Sequence, residues 1–350
     1  MSSPEERRLD GRRIALIGGA GFIGHNMALR MRELGAHVEV IDGLEVNNIV
    51  HYSALSPDEP YRALYLKILY ERLDLLHAAG VPLRRLDARD YHGLSIALGE
   101  IQPDTVVQLA AVAHANRSNK DPFSTFDHSM RTLENALDWS RNQGLERFVF
   151  FSSSMVYGNF VTPEADEDHP LDPIGIYGAL KLAGERLVIA YNQVFGLPYT
   201  IVRPSALYGP RCVSRRVGQA FIESALVGSK LRVDGEGEER VDFTYIDDVV
   251  DGVIAAIVHE GGRDEVFNMT AGKGRSLREL VTLVQEHFPE IEVEYVERDA
   301  LRPFRGTLAM GKAERVLGFK PSVELEDGLT RYVEWYRELT REGLPVSAVG

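Results

Sequence analysis

Residues 18–24 read GGAGFIG and sit between a β-rich run, RRIALIGG (12–19), and a segment with helical apolar spacing, AGFIGHNMALRMRELG (20–35). Few folds place so much glycine between a strand and a helix. Gly18, Gly21 and Gly24 fall at G-x-x-G-x-x-G spacing. The first two permit a tight turn and close backbone approach to a pyrophosphate. The third lets the helix pack on the strand, and the helix N-terminus favours the negative charge. The next alternating run, HVEVID (37–42), ends on Asp42. It lies about 20 residues past the motif, where a carboxylate binds both ribose hydroxyls of a dinucleotide. The same acid repels a 2′-phosphate and no arginine follows it directly, which favours NAD over NADP.

TVVQLAAVA (105–113), RFVFFSSS (147–154) and TIVRPSALYG (200–209) read as further buried strands, the last as a sixth. Strand and helix in alternation with short joints give an α/β fold of the Rossmann type, a doubly wound parallel sheet with helices on both faces. Residues 11–200 are expected to form the dinucleotide-binding domain. Residues 201–345 are expected to form a smaller C-terminal α/β substrate-binding subdomain, interleaved with the sheet. Between Gly43 and Leu86 an insert (44–85) carries YRALYLKILYERLDLLHAAG (61–80), whose apolar residues recur at helical spacing. A helix packed over the sheet edge is the plain reading; a lid or an oligomer contact is the sharper one.

Composition removes several functions. Asp plus Glu number 52 against 39 Lys plus Arg, a net charge of −13, so a nucleic-acid partner is not expected. A small anionic ligand is still compatible if arginines cluster locally. The single cysteine, Cys212, excludes an intramolecular disulfide and argues against a Cys-based zinc site; no metal site is expected. MSSPEERRLDGRR at the start lacks the apolar run of a signal peptide, and no stretch is apolar for the roughly 18 residues of a membrane span. A soluble cytoplasmic protein is expected.

IYGALKLAGERL (176–187) reads as a helix that puts Tyr177 and Lys181 on one face, four residues apart. A tyrosine ordinarily ionises near pH 10. A lysine ammonium nearby, together with a positive nicotinamide, favours the phenolate and gives a general base for an alcohol losing hydride. Alone, such a pair is an ordinary surface pair; the glycine motif gives it meaning.

GGAGFIG, Asp42, LAA at 109–111, SSS-x-VYG at 152–158, Tyr177-x-x-x-Lys181 and RPSALYGP at 203–210 stand in one order. That order resembles the extended short-chain dehydrogenase/reductase superfamily, and within it the NAD-dependent nucleotide-sugar epimerases and dehydratases, closest to the UDP-sugar 4-epimerases. The likeness runs from about residue 12 to about residue 338. It implies NAD as cofactor, a nucleotide-sugar substrate, and a homodimer made by two helices per subunit, here 123–143 and 177–195. The catalytic hydroxyl of the family lies five positions before the glycine of VYG, which is Ser153. Ser152 and Ser154 then shape the loop or touch substrate. The resemblance assigns cofactor contacts to Gly18, Gly21, Phe22, Ile23, Gly24, Asp42, Asn47, Asp87, Ala88, Leu109, Ala110, Ala111, Tyr177, Lys181 and Pro204. Asp87, after the strand-like RRLD, is otherwise an ordinary strand-end acid.

The family's dehydratases follow the catalytic hydroxyl with an Asp-Glu pair, and its UDP-glucuronate decarboxylases carry a Glu at the second of these positions. Here the two are Ser154 and Met155, neither a proton donor in the needed range. That resembles the 4-epimerases, which need no second acid. A 4-ketoreductase or C4 dehydrogenase, or a catalytically idle NAD-binding protein, are the other readings. Resemblance places His114, Asn116, Arg117, Ser118, Ser154, Met155, Ser205, Arg216, Arg240 and Arg302 at the substrate, with Arg240 and Arg302 on the diphosphate and Arg216 near the base. Departures suggest a specialised branch, among them the 44–85 insert, which is longer than in the simplest epimerases and is expected near the cofactor mouth. Ser129 stands where Asn is usual and orients the active-site loop, Ala309 where Asp is common, and Asn116 where the UDP-glucuronate enzymes often have Arg.

Overall fold

The computed structural model describes residues 9–113, 115–299, 301–341 and 343. From the N-terminus, β1 (Arg13–Ile17) leads through the glycine turn into α1 (Phe22–Glu33) and β2 (His37–Asp42). The insert forms α2 (Ile49–Ser53) and α3 (Arg62–Ala78), then β3 (Leu83–Arg85), α4 (Tyr91–Ile101) and β4 (Thr105–Gln108) follow. α5 (Ala115–Lys120), α6 (Pro122–Phe126), a π-helical turn Asp127–Arg131 and α7 (Thr132–Ser140) lead to β5 (Arg147–Phe151). Short β6 (Glu164–Ala165) precedes α8 (Gly175–Phe195), β7 (Tyr199–Arg203) and β8 (Ala206–Tyr208). α9 (Val217–Leu226), β9 (Leu231–Asp234), β10 (Arg240–Tyr245), α10 (Ile246–Val258) and β11 (Glu265–Asn268) come next.

The main sheet has seven strands in the order β11-β7-β5-β4-β1-β2-β3, every neighbouring pair parallel. β4, β5 and β7 are buried at every position, as a parallel sheet covered on both faces requires. Strand order reverses between β1 and β4, and ligands of such sheets bind beyond the carboxyl ends at that point. β11, from the second half of the chain, pairs with β7, so the main sheet draws strands from both halves.

Several elements differ from expectation. The run 200–209 is two strands, because Pro204 has no N–H for the ladder: β7 stays in the main sheet and β8 joins β10 in a separate three-stranded sheet. The run 105–113 leaves the sheet after Gln108, so its LAA segment is a loop. The expected helix 123–143 is broken into α6, the π turn and α7. The helix 177–195 is present as α8, closed by Gly196 at φ +70°.

The insert is built into the core. Leu64, Tyr65, Ile68, Leu69, Arg72 and Leu76 of α3 are buried, and the apolar ones join the cluster that holds Met27, Met31 and Val40. Tyr65 Oη donates to Glu223 Oε2 at 2.8 Å, Tyr336 Oη donates to Glu223 Oε1 at 2.8 Å, and Tyr52 Oη donates to the Val213 carbonyl at 2.9 Å. These bonds tie the insert to α9 and to the C-terminal helix Leu325–Leu339.

Candidate active site

At the carboxyl ends of β1, β2 and β4 an open cleft of about 1080 Å³ is lined by Gly18, Gly21, Phe22, Ile23, Gly24, Asp42, Asn47, Asp87, Ala88, Leu109, Ala110 and Ala111. Only glycine serves at position 18: its φ is +83°, and a Cβ there would lie 2.5 Å from the Ala110 nitrogen. A Cβ on Gly24 would lie 2.5 Å from the Gly19 Cα, so α1 packs directly on the turn. Asp42 accepts from the Ala20 nitrogen at 2.9 Å and the Leu44 nitrogen at 2.7 Å, pinning both walls. Burial raises its pKa against those two bonds. Asp87 lies low despite burial because Arg89 holds it, Nε to Oδ2 at 2.9 Å. Bare backbone at Gly18 with a carboxylate at the end of β2 fits an NAD molecule. Pro204 does not line this cleft; its carbonyl accepts from the Ser154 nitrogen at 2.9 Å.

A second cavity, about 1300 Å³, adjoins the first through Ala113 and Arg216, which line both. Ser153, Ser154, Met155, Tyr177, Asn116, Ser205, Arg216 and Arg302 line it. Tyr177 enters from the first turn of α8. That turn begins at Gly175 (φ +78°) and is held by Asn119 Oδ1, which accepts from the Ile176 nitrogen at 3.1 Å. The Ser153 hydroxyl hydrogen-bonds Tyr177 and accepts from the Met155 nitrogen at 3.2 Å. Lys181 lies one turn along α8, its ammonium 5.9 Å from the Tyr177 ring centre and donating to the Phe151 carbonyl at 2.6 Å. Burial lowers Lys181 to about 8, Glu185 opposing it. Burial raises Tyr177, although Arg216 and the Ser153 bond pull it down. Among the protein's own groups desolvation outweighs charge; the expected lowering was assigned to Lys181 together with the nicotinamide.

The serine triplet separates into three roles. Ser152 hydrogen-bonds Glu185, which pairs with Arg203 at 2.7 Å in the core. Ser153 faces Tyr177. Ser154 is buried and its Oγ lies 3.4 Å from Ser205 Oγ on the cavity wall.

The arginines differ from the sequence reading. Arg240 does not line the cavity; its neighbours Glu239 and Val241 do. Successive residues of β10 face opposite ways, so Arg240 turns outward to the Gly274 carbonyl at 2.5 Å and Glu279 at 3.8 Å. Arg302 lines the cavity and pairs with Asp234. Arg305, missed in the sequence, also lines it: Nη2 is 3.7 Å from Glu239 Oε1 and Nη1 is 3.9 Å from Met155 Sδ. Arg305 Nε and Glu239 Oε2 are buried without a hydrogen-bond partner in the protein. Arg117 lines neither cavity and donates to Asn47 Oδ1 at 3.2 Å; Ser118 is buried and lines neither. His114 lies outside the described residues.

The model of the NAD dependent epimerase/dehydratase family matches residues 14–270. The chain belongs to that family. It is 30% identical over 337 residues to the UDP-glucose 4-epimerase of Mycolicibacterium smegmatis, covering 93% of this chain and 98% of that one. It is equally 30% identical, over 332 residues, to the dTDP-glucose 4,6-dehydratase of Streptomyces griseus, covering 93% and 94%. The solved UDP-glucose 4-epimerase of Thermotoga maritima with UDP-glucose matches at a TM-score of 0.80 and 28% identity, over 93% of this chain and 98% of that one. Overall likeness thus gives the family and its NAD, and does not separate the family's two reactions.

For this epimerase/dehydratase family member the loop after β4 is informative. Ser129, in the π turn where Asn was expected, accepts from the Val112 nitrogen at 3.2 Å and so still holds that loop. Thr132 donates to the Ala110 carbonyl at 3.2 Å. π turns are rare and gather at functional sites, and nothing in the residue pattern announced this one. Among the described residues no group of His, Cys, Asp and Glu could hold a metal, and no helix is long and apolar enough to cross a membrane.

Proposed function

We propose that this NAD-dependent enzyme is a nucleotide-sugar 4-epimerase acting on a UDP-hexose or UDP-hexuronate. One observation carries the choice within the family: the two residues after Ser153 are Ser154 and Met155, both on the cavity wall and neither able to trade a proton at C5 or C6. Two acids line the same cavity: Glu239 faces Arg305, and Asp299 Oδ1 accepts from the Leu301 nitrogen at 2.9 Å.

Tyr177 takes the proton of the sugar's C4 hydroxyl as hydride leaves that carbon. Ser153 orients the hydroxyl oxygen, and the Lys181 ammonium favours the phenolate that must form. Bound NAD supplies the acceptor and donor of the hydride. Returned to the opposite face of the 4-keto sugar, hydride and proton rebuild an alcohol of inverted configuration; no atom is lost. Asp42 binds the adenosine ribose, and residues 201–345 chiefly hold the nucleotide-sugar. Arg302 and Arg305 meet its diphosphate, since guanidinium forks match phosphate oxygens, and Arg216 stays near the base. Arg305 replaces Arg240 in that assignment. Exposed Phe123 and Phe126 on α6 and Val194 and Phe195 on α8 supply the apolar faces of a homodimer.

Incubation with UDP-glucose, UDP-N-acetylglucosamine and UDP-glucuronate, with products resolved by chromatography, tests the reading. A C4 epimer of at least one is expected. A 4-keto-6-deoxy sugar, a pentose or net consumption of NADH would overturn it.

A further inference from the structure

The insert carries an arginine in an unusual place. Among the described residues three arginines are buried to 5% exposure or less: Arg72, Arg147 and Arg203. Arg203 is neutralised by Glu185 at 2.7 Å. Arg147 lines neither cavity and reaches Thr200 Oγ1 at 2.8 Å. Arg72, 1% exposed, lines the NAD cleft, and no carboxylate of the described residues forms an ion pair with it. Its Nε and Nη2 both donate to the Arg211 carbonyl, the former at 3.0 Å, and Nη1 donates to the Ala20 carbonyl at 3.4 Å. A guanidinium has five N–H donors, so two have no protein acceptor here.

The acids lining this cleft are otherwise engaged. Asp87 and Glu45 are bound by Arg89, and Asp42 by two backbone N–H groups. A cation buried against neutral carbonyls is costly unless an anion completes it. Burial accordingly lowers Arg72 to about 10; Cys212, Tyr52 and the Asp42 carboxylate oppose this, and the Arg211 cation adds to it. Ala20, which Arg72 grips, is in the glycine turn where a pyrophosphate docks.

We propose that Arg72 is a cofactor-binding residue whose guanidinium is the counter-charge of the NAD pyrophosphate, so that the insert completes the NAD site. Guanidinium donors match phosphate oxygens in number and plane. Bound pyrophosphate gives the two spare donors their acceptors and the buried charge its partner. The Arg211 carbonyl links the same guanidinium to the loop ending in Arg216, which lines both cavities. The proposal rests on the NAD site alone and not on which sugar is turned over.

Full-length Arg72→Met and Arg72→Lys are compared with wild type without any nucleotide-sugar. NAD retained per chain and the Kd for re-added NAD are measured, with circular dichroism and gel filtration reporting the fold. Arg72→Met is expected to bind NAD about 10–100-fold more weakly while folded, and Arg72→Lys only severalfold more weakly. A folded Arg72→Met with Kd within twofold of wild type would make Arg72 a structural pin and overturn the proposal. Should that variant not fold, the arginine Nε–H signal present in wild type and missing in Arg72→Lys decides. It must shift when NAD or inorganic pyrophosphate is added, and an unmoved signal overturns the proposal.

Discussion

The two halves of the site are built by different means. The NAD cleft rests chiefly on backbone, the glycines at 18, 21 and 24 and the N-terminus of α1, with Asp42, Asp87 and Arg72 on its walls. The nucleotide-sugar cavity is made from long side chains on loops and strand edges, with Arg216, Arg302 and Arg305 prominent. Backbone cradles tolerate almost no change in shape and read one ligand framework. Side-chain cavities can be re-armed one residue at a time, as Arg305 facing inward while Arg240 faces out illustrates. The proposed chemistry sits where the halves meet, on Ser153, Tyr177 and Lys181.

Breaking the seam should have the largest effect. Tyr177→Phe is expected to lower kcat by roughly 10³-fold or more, the upper range for a lost general base. Bound NAD and the melting temperature should stay near wild type. Gly18→Ala should abolish NAD binding and cost about 1–3 kcal/mol in denaturant unfolding, since the new Cβ meets the Ala110 nitrogen at 2.5 Å with φ at +83°. Arg305→Met should act on the other half alone. KM for the nucleotide-sugar should rise roughly 10–100-fold, the loss of about 1.4–2.8 kcal/mol, with NAD affinity unchanged. If Arg305→Met weakened NAD instead, the division into two halves would fail.

Smaller effects sharpen the same picture. Lys181 is lowered to about 8 from an unfolded value of 10.5. Its buried charge therefore weighs on the fold at pH below 8, and the penalty disappears as pH rises to 10.5. Wild type should gain stability relative to Lys181→Met across that window, by on the order of 3 kcal/mol at most. Denaturant midpoints at pH 7.5 and pH 10 check the sign. Arg240→Ala should change KM by less than twofold, as expected for a half-exposed ion pair outside the cavity.

What the sequence disclosed follows the same division. The NAD half was legible because its code is local. Glycine spacing and a strand-end acid specify backbone geometry, and twelve of the residues so assigned line the cleft. Pro204, Tyr177 and Lys181 of that set do not line the cleft, and at Pro204 a break in a strand and a contact with a ligand leave the same mark in sequence. The sugar half was legible only in part. On a strand, neighbouring residues face opposite sides, so reading β10 one residue off exchanges Arg240 for Val241. Arg305 lies on an irregular loop with no period to follow. Arg72 did leave a signal. It falls in the buried stripe of α3 after Leu64, Ile68 and Leu69, where a charge is out of place unless it has work to do.

The central claim is that hydride leaves and returns to the same carbon. A nucleotide-sugar carrying deuterium at C4, chosen from the substrate found active, tests it by mass spectrometry and NMR of the product. Deuterium retained at C4 of the inverted sugar, with NAD unchanged, is the predicted result. Deuterium at C6 of a deoxy sugar, or deuterium lost to the nicotinamide pool, would contradict it.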